Sequence, residues 1–391
     1  MAAEKLCRIE VFRDAPARTV AAFVRFVTPD GATALALPFR LEGECTVVNG
    51  VRLDADVRAE ITCAEPDAKI RVVVTPRGDF YTLARSVAEG IGLTRASTAL
   101  PAAPAESAAP VAAWRLAAPA SPPSVSIIIP TRDRADLLTR AVETLFVAPQ
   151  RPATDLVIVD NGSVERSTLN LLEKLQSRAG VQILRVDEPF NFARLINAGA
   201  ASAKGEVLAF LNNDVEGADP HWCDPLATLA MDPKIGAVGA KLLYPDGRVQ
   251  HAGITLGIGG LTGHTGRGRR NDDPGPGAML TTTRPVSAVT GACLFTRRDV
   301  FERLGGFDER YVIEFNDIDY CLRAGEAGLA SVCAAAPMLT HNEGSSRAAR
   351  PLRPQEIDDR ARFVARWGRA LVADPHYPAG LTYRDESLAS A

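Results

Sequence analysis

Four apolar stretches of this 391-residue chain stop on side chains that can do chemistry. "SVSIIIP" ends at Pro130 and runs into Thr131, Arg132 and Asp133. "DLVIVDNGS" passes from its apolar run to Asp160 and Asn161. "VQILRVD" leads through Asp187 and Glu188 into "FNFARLIN", which carries Asn191, Arg194 and Asn197. "EVLAFLNND" ends on Asn212, Asn213 and Asp214. One acid after one strand is ordinarily a cap or a turn residue. Four polar ends in one sheet converge on one rim, where such sheets hold ligands. No G-x-G-x-x-G follows the first run and no G-x-x-x-x-G-K-[ST] occurs, so neither glycine-rich phosphate loop is present. A phosphorylated ligand would need its charge met by a divalent cation on carboxylate oxygens, and Asp214 is the candidate ligand.

The elements that must position these residues read β-α-β-α-β-α-β. "SVSIIIP" has no polar alternation, as in a strand covered on both faces. "RADLLTRAVETLF" places Leu137, Leu138, Ala141, Val142 and Leu145 at helical spacing. "STLNLLEKLQSR" and "FARLINAGAASA" read as two further helices. This order predicts an α/β domain with a mixed, mostly parallel sheet flanked by helices. Residues 1–96 are different. "RIEVF", "AAFVRFV", "VRAEITC" and "IRVVV" predict a small, mostly-β accessory domain, followed by a helix-like piece over residues 81–90. It offers no catalytic constellation, and a binding or packing module is the modest reading. Residues 97–123 are rich in Ala, Pro and Ser and read as a linker, in which Trp114 is placed to dock on a neighbouring domain. Residues 124–350 form the α/β unit, and residues 351–391 a C-terminal helical extension and tail.

With 46% apolar and 23% charged residues, a sizeable soluble core is expected. A formal net charge of -3 argues against a nucleic-acid partner held by bulk charge. The basic run "RGRR" at residues 267–270 is either a solvated loop or a contact to an anionic ligand or lipid headgroup. No segment approaches the ~20 continuous apolar residues of a membrane span. The N-terminus lacks a basic-then-apolar signal pattern. Seven cysteines without CxxC spacing fit reduced thiols in a cytoplasmic protein.

A set of segments in fixed order carries a resemblance. "SIIIPTRDR", "VIVDNGS", "FNFARLINAGAASAKGEVLAFLNND", "GAVGAKLLYPDGRVQHAG", "VTGACLFTRRDVFERLGGFDE", "NDIDYCLR" and "HNEGSSR" resemble family 2 glycosyltransferases of the GT-A fold. The likeness is to bacterial enzymes that build polysaccharide or O-antigen chains, of rhamnosyltransferase type. Each motif alone is weak, and the ordered set is specific. It covers about residues 124–350, and residues 1–96 lie outside it. The resemblance implies an inverting transfer from a nucleotide-diphosphate sugar, with a divalent cation (Mn²⁺ or Mg²⁺), to a saccharide or lipid-linked saccharide acceptor. It implies a role in bacterial surface polysaccharide synthesis, in the cytoplasm or peripherally at the inner face of the cytoplasmic membrane.

It also implies roles residue by residue. Pro130, Thr131, Arg132, Asp133 and Asp160 would hold base and ribose, with an Asx-turn into "NGS" as the alternative for Asp160. Asn212, Asn213 and Asp214 match a D-x-D-like motif whose first carboxylate is here an amide. Asp214 is then its sole acidic metal ligand, so metal should bind weakly without the donor diphosphate. In "EFNDIDYCLR", Asp317 takes the place of the catalytic base, and Asn316 replaces the usual Glu. Glu314, three residues earlier, is a reserve base, and Asp319 is left to capping or structure. His341 would complete the metal shell, or is structural. Arg347 would meet the diphosphate. Asn191, Arg194 and Asn197 would lie close to the nucleotide, with Asn191 also suited to cap a helix. His251 would lie near the acceptor or a metal-bound phosphate. The glycine-rich residues 253–278 read either as a mobile lid or as an exposed loop. Two other functions stay open: a sugar nucleotidyltransferase of the same fold, and a carbohydrate-binding protein whose catalysis has decayed.

Overall fold

The computed structural model describes six strands between residues 5 and 77 by their backbone, and then residues 123–145, 154–217, 221–342, 352–372, 374–378 and 381–389. The helix expected over residues 81–90, the linker with Trp114, and Arg347 lie outside the described residues.

The first six strands are β1 (Lys5–Arg13), β2 (Val20–Val27), β3 (Thr33–Leu41), β4 (Cys45–Leu53), β5 (Arg58–Cys63) and β6 (Ile70–Arg77). They pair as two three-stranded antiparallel sheets, ordered β4-β1-β6 and β3-β2-β5.

The α/β unit is built on β7 (Val125–Thr131), β8 (Thr154–Asp160), β9 (Val181–Arg185), β10 (Val207–Leu211), β11 (Val215–Gly217), β12 (Ile235–Leu243), β13 (Val249–His251), β14 (Ile254–Leu256), β15 (Thr262–His264), β16 (Arg284–Val286), β17 (Cys293–Arg297) and β18 (Ala330–His341). The main sheet runs β11-β18-β12-β17-β10-β7-β8-β9, with β13 on β12 and β16 on β18. β10, β7, β8 and β9 are parallel neighbours, so their carboxyl ends share one rim. β17 inserts antiparallel beside β10 and makes the sheet mixed, as expected.

The helices are α1 (Ala135–Leu145), α2 (Arg166–Gln176), α3 (Phe192–Ser202), α4 (Cys223–Ala230), α5 (Arg298–Arg303), α6 (Asn316–Glu326) and α7 (Pro354–Trp367). α1 buries Leu138, Ala141, Val142 and Leu145, four of the five residues whose spacing predicted it. β7 is buried along its whole length, which is why its sequence shows no polar alternation. Ile127 and Ile129 face one core with Leu138 and Val142, while Ile128 faces the other with Ile196 and Phe210. In that second core the Phe210 ring meets Phe301 and Phe307 at 5.0 and 5.3 Å between centroids. Each such buried ring contributes roughly 1.5–3 kcal/mol of transfer free energy. Among the described residues no helix is long and apolar enough to cross a membrane.

Residues 253–278 are not an exposed loop. β14 and β15 pair as a hairpin, and Ile254, Thr255, Leu256, Ile258 and Thr265 are buried. Thr255 and Thr265 join through their hydroxyls at 2.8 Å. Ile258 packs in a small core with Met279, Leu280, Tyr377 and Leu388. The C-terminal tail straps this hairpin down. Gly259 N–H donates to the Tyr383 carbonyl at 2.8 Å, Leu256 N–H to Asp374 at 2.7 Å, and Arg269 to the Ser387 carbonyl at 2.7 Å. Glycine content gave conformational freedom, but apolar residues between the glycines decided the packing.

The turn into β10 leaves no room for a side chain at Gly205. A Cβ there would sit 2.5 Å from Ser126 N and 2.7 Å from Val125 C, both backbone atoms that cannot rotate away. Gly205→Ala should therefore lower stability by about 1–3 kcal/mol, the cost of forced overpacking. Urea unfolding of wild type and variant measures it, and an unchanged midpoint would contradict the packing described.

Candidate active site

The carboxyl ends of β7, β8 and β10 open into one cavity of about 840 Å³. Pro130, Thr131 and Arg132 reach it from the first end, Asn161 from the second, Phe190 and Phe192 after the third, and Asn212, Asn213 and Asp214 from the fourth. The facing wall is residues 290–292 with Glu314, Asn316 and Asp317. The hairpin adds Ile258, His264 and Arg267, and the tail adds Arg384, Asp385 and Glu386.

β10 must end here because its apolar run ends, and the polar groups that follow are paired locally. Asn212 N–H donates to the Ala292 carbonyl at 3.1 Å, and Asn213 Nδ2 donates to Thr131 Oγ1 at 2.9 Å. That second bond ties the first strand end to the fourth. Asp214 follows, directly before β11, where Val215 stands opposite His341 of β18. The register brings Asp214 Oδ1 to 3.1 Å from His341 Nε2. Distance alone makes these an ion pair, yet Asp214 Oδ1 is buried and has no aligned hydrogen-bond donor. The alignment is the better guide, because a hydrogen bond needs a proton on the line between the atoms. A carboxylate oxygen and an imidazole nitrogen that converge without a shared proton fit a divalent cation. Among the described residues no group of three or more His, Cys, Asp or Glu forms a cage. A cation on these two groups would need its remaining positions filled by other oxygen ligands.

Asp317 lies in the first turn of α6, where the helix dipole favours a negative charge. Its Oδ2 accepts from Gly291 N–H at 2.6 Å, and its Oδ1 from Ile318 N–H at 2.8 Å. The segment that presents α6 is clamped from both sides. On one side Asp359 of α7, fully buried, accepts from the backbone N–H groups of Val312, Ile313 and Glu314 at 2.9, 2.7 and 2.9 Å. Burial raises its carboxyl above the ordinary range against the pull of those three N–H groups. On the other side Asn191 Nδ2 donates to the Glu309 carbonyl at 2.7 Å. Asn197 exchanges two bonds of 2.9 Å with the backbone of Phe307.

Several expected ligand residues bond to protein partners in this structure. Asn191 caps α3 by accepting from Arg194 N–H at 3.0 Å. Arg194 pairs with Glu188 at 2.6 Å and Glu309 at 3.1 Å. With Asn197, all three fasten α3 to the loop of residues 307–309, and none is among the residues that line the cavity. Asp133 accepts from the N–H groups of Val164 and Glu165, both at 2.8 Å, which hold its carboxyl below the ordinary range. Asp160 forms the turn weighed for it, accepting from Ser163 N–H at 2.9 Å, and its other oxygen meets Arg185 at 2.9 Å. Neither is among the residues that line the cavity. Glu314 lines the cavity, but Arg360 takes its two oxygens at 2.7 and 3.1 Å, so it is not a spare base. Asp319 is fully buried against Arg323 at 2.7 Å and Trp367 Nε1 at 2.9 Å, a structural role. His251 is fully buried, with Nδ1 2.9 Å from His264 Nδ1, and it is His264 that faces the cavity. The basic run divides: Arg267 lines the cavity, and Arg270 is an exposed partner of Asp272. Cys293, Cys321 and Cys333 are free and buried, and burial pushes their thiols up to about 12, 12 and 11.

Residues 126–305 match the family model described as glycosyl transferase family 2. The chain is 39% identical over 268 residues to the uncharacterized protein y4gI of Sinorhizobium fredii, covering 66% of this chain and 29% of that protein. It is 41% identical over 263 residues to O-antigen biosynthesis protein RfbC of Myxococcus xanthus, covering 66% of this chain and 20% of that protein. The chain thus spans less than a third of these two relatives. A third relative is the N-acetylglucosaminyl-diphospho-decaprenol L-rhamnosyltransferase of Mycobacterium tuberculosis, 27% identical over 229 residues, 54% of this chain and 73% of that protein. Among solved structures, GalNAc-T7 with UDP, GalNAc and Mn²⁺ superposes with a TM-score of 0.48 at 17% identity, over 57% of this chain and 44% of that one.

Burial, with Arg267 and Arg284 beside it, pushes the His251 imidazole down from 6.5 to about 3. The folded state therefore holds it neutral, while the unfolded chain takes up a proton below about pH 6.5. Its contribution is complete above that pH and is lost as pH falls towards 3, at roughly 1.4 kcal/mol per pH unit. Wild type should lose stability between pH 6.5 and 4 more steeply than His251→Gln, by about one proton in the slope. Equal slopes in urea titrations would contradict a neutral buried imidazole.

Proposed function

We propose, from the match of residues 126–305 to the glycosyl transferase family 2 model, that the cavity transfers a sugar, with inversion, from a nucleotide-diphosphate sugar to a saccharide or lipid-linked saccharide acceptor. The observation that carries this reading is one cavity walled by both Asp214 and Asp317, with His341 3.1 Å from Asp214.

Thr131, Arg132 and Asn161 line the end of the cavity suited to the nucleotide, where Phe190 offers an exposed ring for stacking. Asp214 Oδ1 and His341 Nε2 would hold the divalent cation. Bound there, it supplies positive charge to the leaving diphosphate. Asp317 takes the proton of the acceptor hydroxyl while that oxygen bonds to the anomeric carbon and the bond to the diphosphate breaks. Gly291 N–H fixes the direction of the Asp317 carboxylate at 2.6 Å, so the base is aimed before substrate arrives. Arg384, Asp385 and Glu386 of the tail, with Arg267 of the hairpin, give the acceptor side charged groups that suit sugar hydroxyls. The relatives named for O-antigen synthesis and for rhamnosyl transfer support a place in bacterial surface polysaccharide assembly. The setting that follows is the cytoplasm or the inner face of the cytoplasmic membrane.

Release of nucleoside diphosphate from UDP-, dTDP- and GDP-sugars with Mn²⁺ tests the reading. Asp317→Asn should keep the thermal shift given by the donor and lose turnover by about 10²–10⁴-fold. Turnover near wild type in that variant would remove Asp317 as the base. Silence of wild type with every donor would remove the transferase reading itself.

A further inference from the structure

His341 has two ring nitrogens with different duties. Nε2 faces Asp214 Oδ1 at 3.1 Å, and Nδ1 lies 2.7 Å from Gln250 Oε1. Gln250 is buried and comes from β13, 91 residues away in the chain. The Gln250 amide has a defined orientation, because its Nε2 donates to the His341 carbonyl at 3.4 Å, and a carbonyl can only accept. Its Oε1 must then face the ring. An amide oxygen also only accepts, so a 2.7 Å approach requires the ring proton on Nδ1. Nε2 is left with its lone pair, turned towards a buried carboxylate oxygen that has no aligned donor. Asn212 Nδ2 donates to that lone pair across 3.3 Å, a long bond that a cation on Nε2 would replace.

We propose that Gln250 is a positioning residue that fixes the His341 proton on Nδ1 and so keeps Asp214 Oδ1 and His341 Nε2 open to a divalent cation. This rests on the reading of Asp214 and His341 as a metal pair. Without Gln250 the better acceptor near the ring is Asp214. The proton moves to Nε2, bonds the carboxylate across 3.1 Å, and the two ligands satisfy each other instead of a cation.

Long-range ¹H–¹⁵N spectra report the tautomer directly, and the chain has only 5 histidines to assign. His341 of wild type should carry its proton on Nδ1, and that of Gln250→Leu on Nε2. Gln250→Glu offers a carboxylate to Nδ1 and should keep the wild-type tautomer. Mn²⁺ titrations followed by EPR, with UDP, dTDP or GDP present, should show affinity lowered 10–100-fold in Gln250→Leu and close to wild type in Gln250→Glu. An Nε2 proton in wild type overturns the proposal, and so does a Gln250→Leu variant with unchanged tautomer or unchanged Mn²⁺ affinity. If Gln250→Leu does not fold, the wild-type and Gln250→Glu spectra decide. No Mn²⁺ binding by wild type with any of the three nucleotides would strike the metal reading instead, while the spectra still decide whether Gln250 sets the tautomer.

Discussion

Everything at the cavity depends on β10, whose five residues are wholly buried between β7 and β17. A strand covered on both faces can end only where its backbone and side chains find partners, since an unpaired buried polar group costs about 1–3 kcal/mol. Asn212, Asn213 and Asp214 are that ending. The first meets the Ala292 carbonyl through its N–H and the second meets Thr131 through its amide. Asp214 Oδ1 alone is buried and left without an aligned donor. At this strand end two groups are therefore spent on the sheet, and one carboxylate oxygen is left without an aligned donor.

The opposing wall is held by a different device. The loop before α6 has little regular structure of its own, and helices on either side take up its backbone groups. Asp359 receives three N–H groups from residues 312–314, and Asn191 and Asn197 bind the backbone of Glu309 and Phe307. Two helices thereby hold Phe315 in a left-handed conformation (φ 66), a backbone cost that surrounding structure must offset. The result is that Asp317 and Asp214, about a hundred residues apart in the chain, face one space.

Much of this was legible beforehand, for a physical reason. The α/β order follows from continuous apolar runs and 3.6-residue spacing, both dictated by burial. The strand ends followed from where those runs stop. What the chain order hid was which polar residue faces the ligand and which braces a neighbour. Asp160 and Arg194 looked like nucleotide contacts, but their partners Arg185 and Glu309 are 25 and 115 residues away. Glu314 looked like a spare base until α7 supplied Arg360. Gln250 stood one residue from the more conspicuous His251, and the two-residue alternation of β13 turned Gln250, not His251, towards His341. The tail residues Arg384, Asp385 and Glu386 gave no signal, because only the fold returns them to the hairpin.

The central claim is that Asp214 and His341 form the cation end of a nucleotide-diphosphate site that Asp317 completes. Anomalous diffraction from crystals soaked with Mn²⁺ and a nucleoside diphosphate tests it most directly. The account predicts one strong manganese peak within bonding distance of Asp214 Oδ1, His341 Nε2 and the diphosphate, and a much weaker peak when the nucleotide is left out. A peak of full strength without nucleotide, or a diphosphate bound away from this pair, would contradict it.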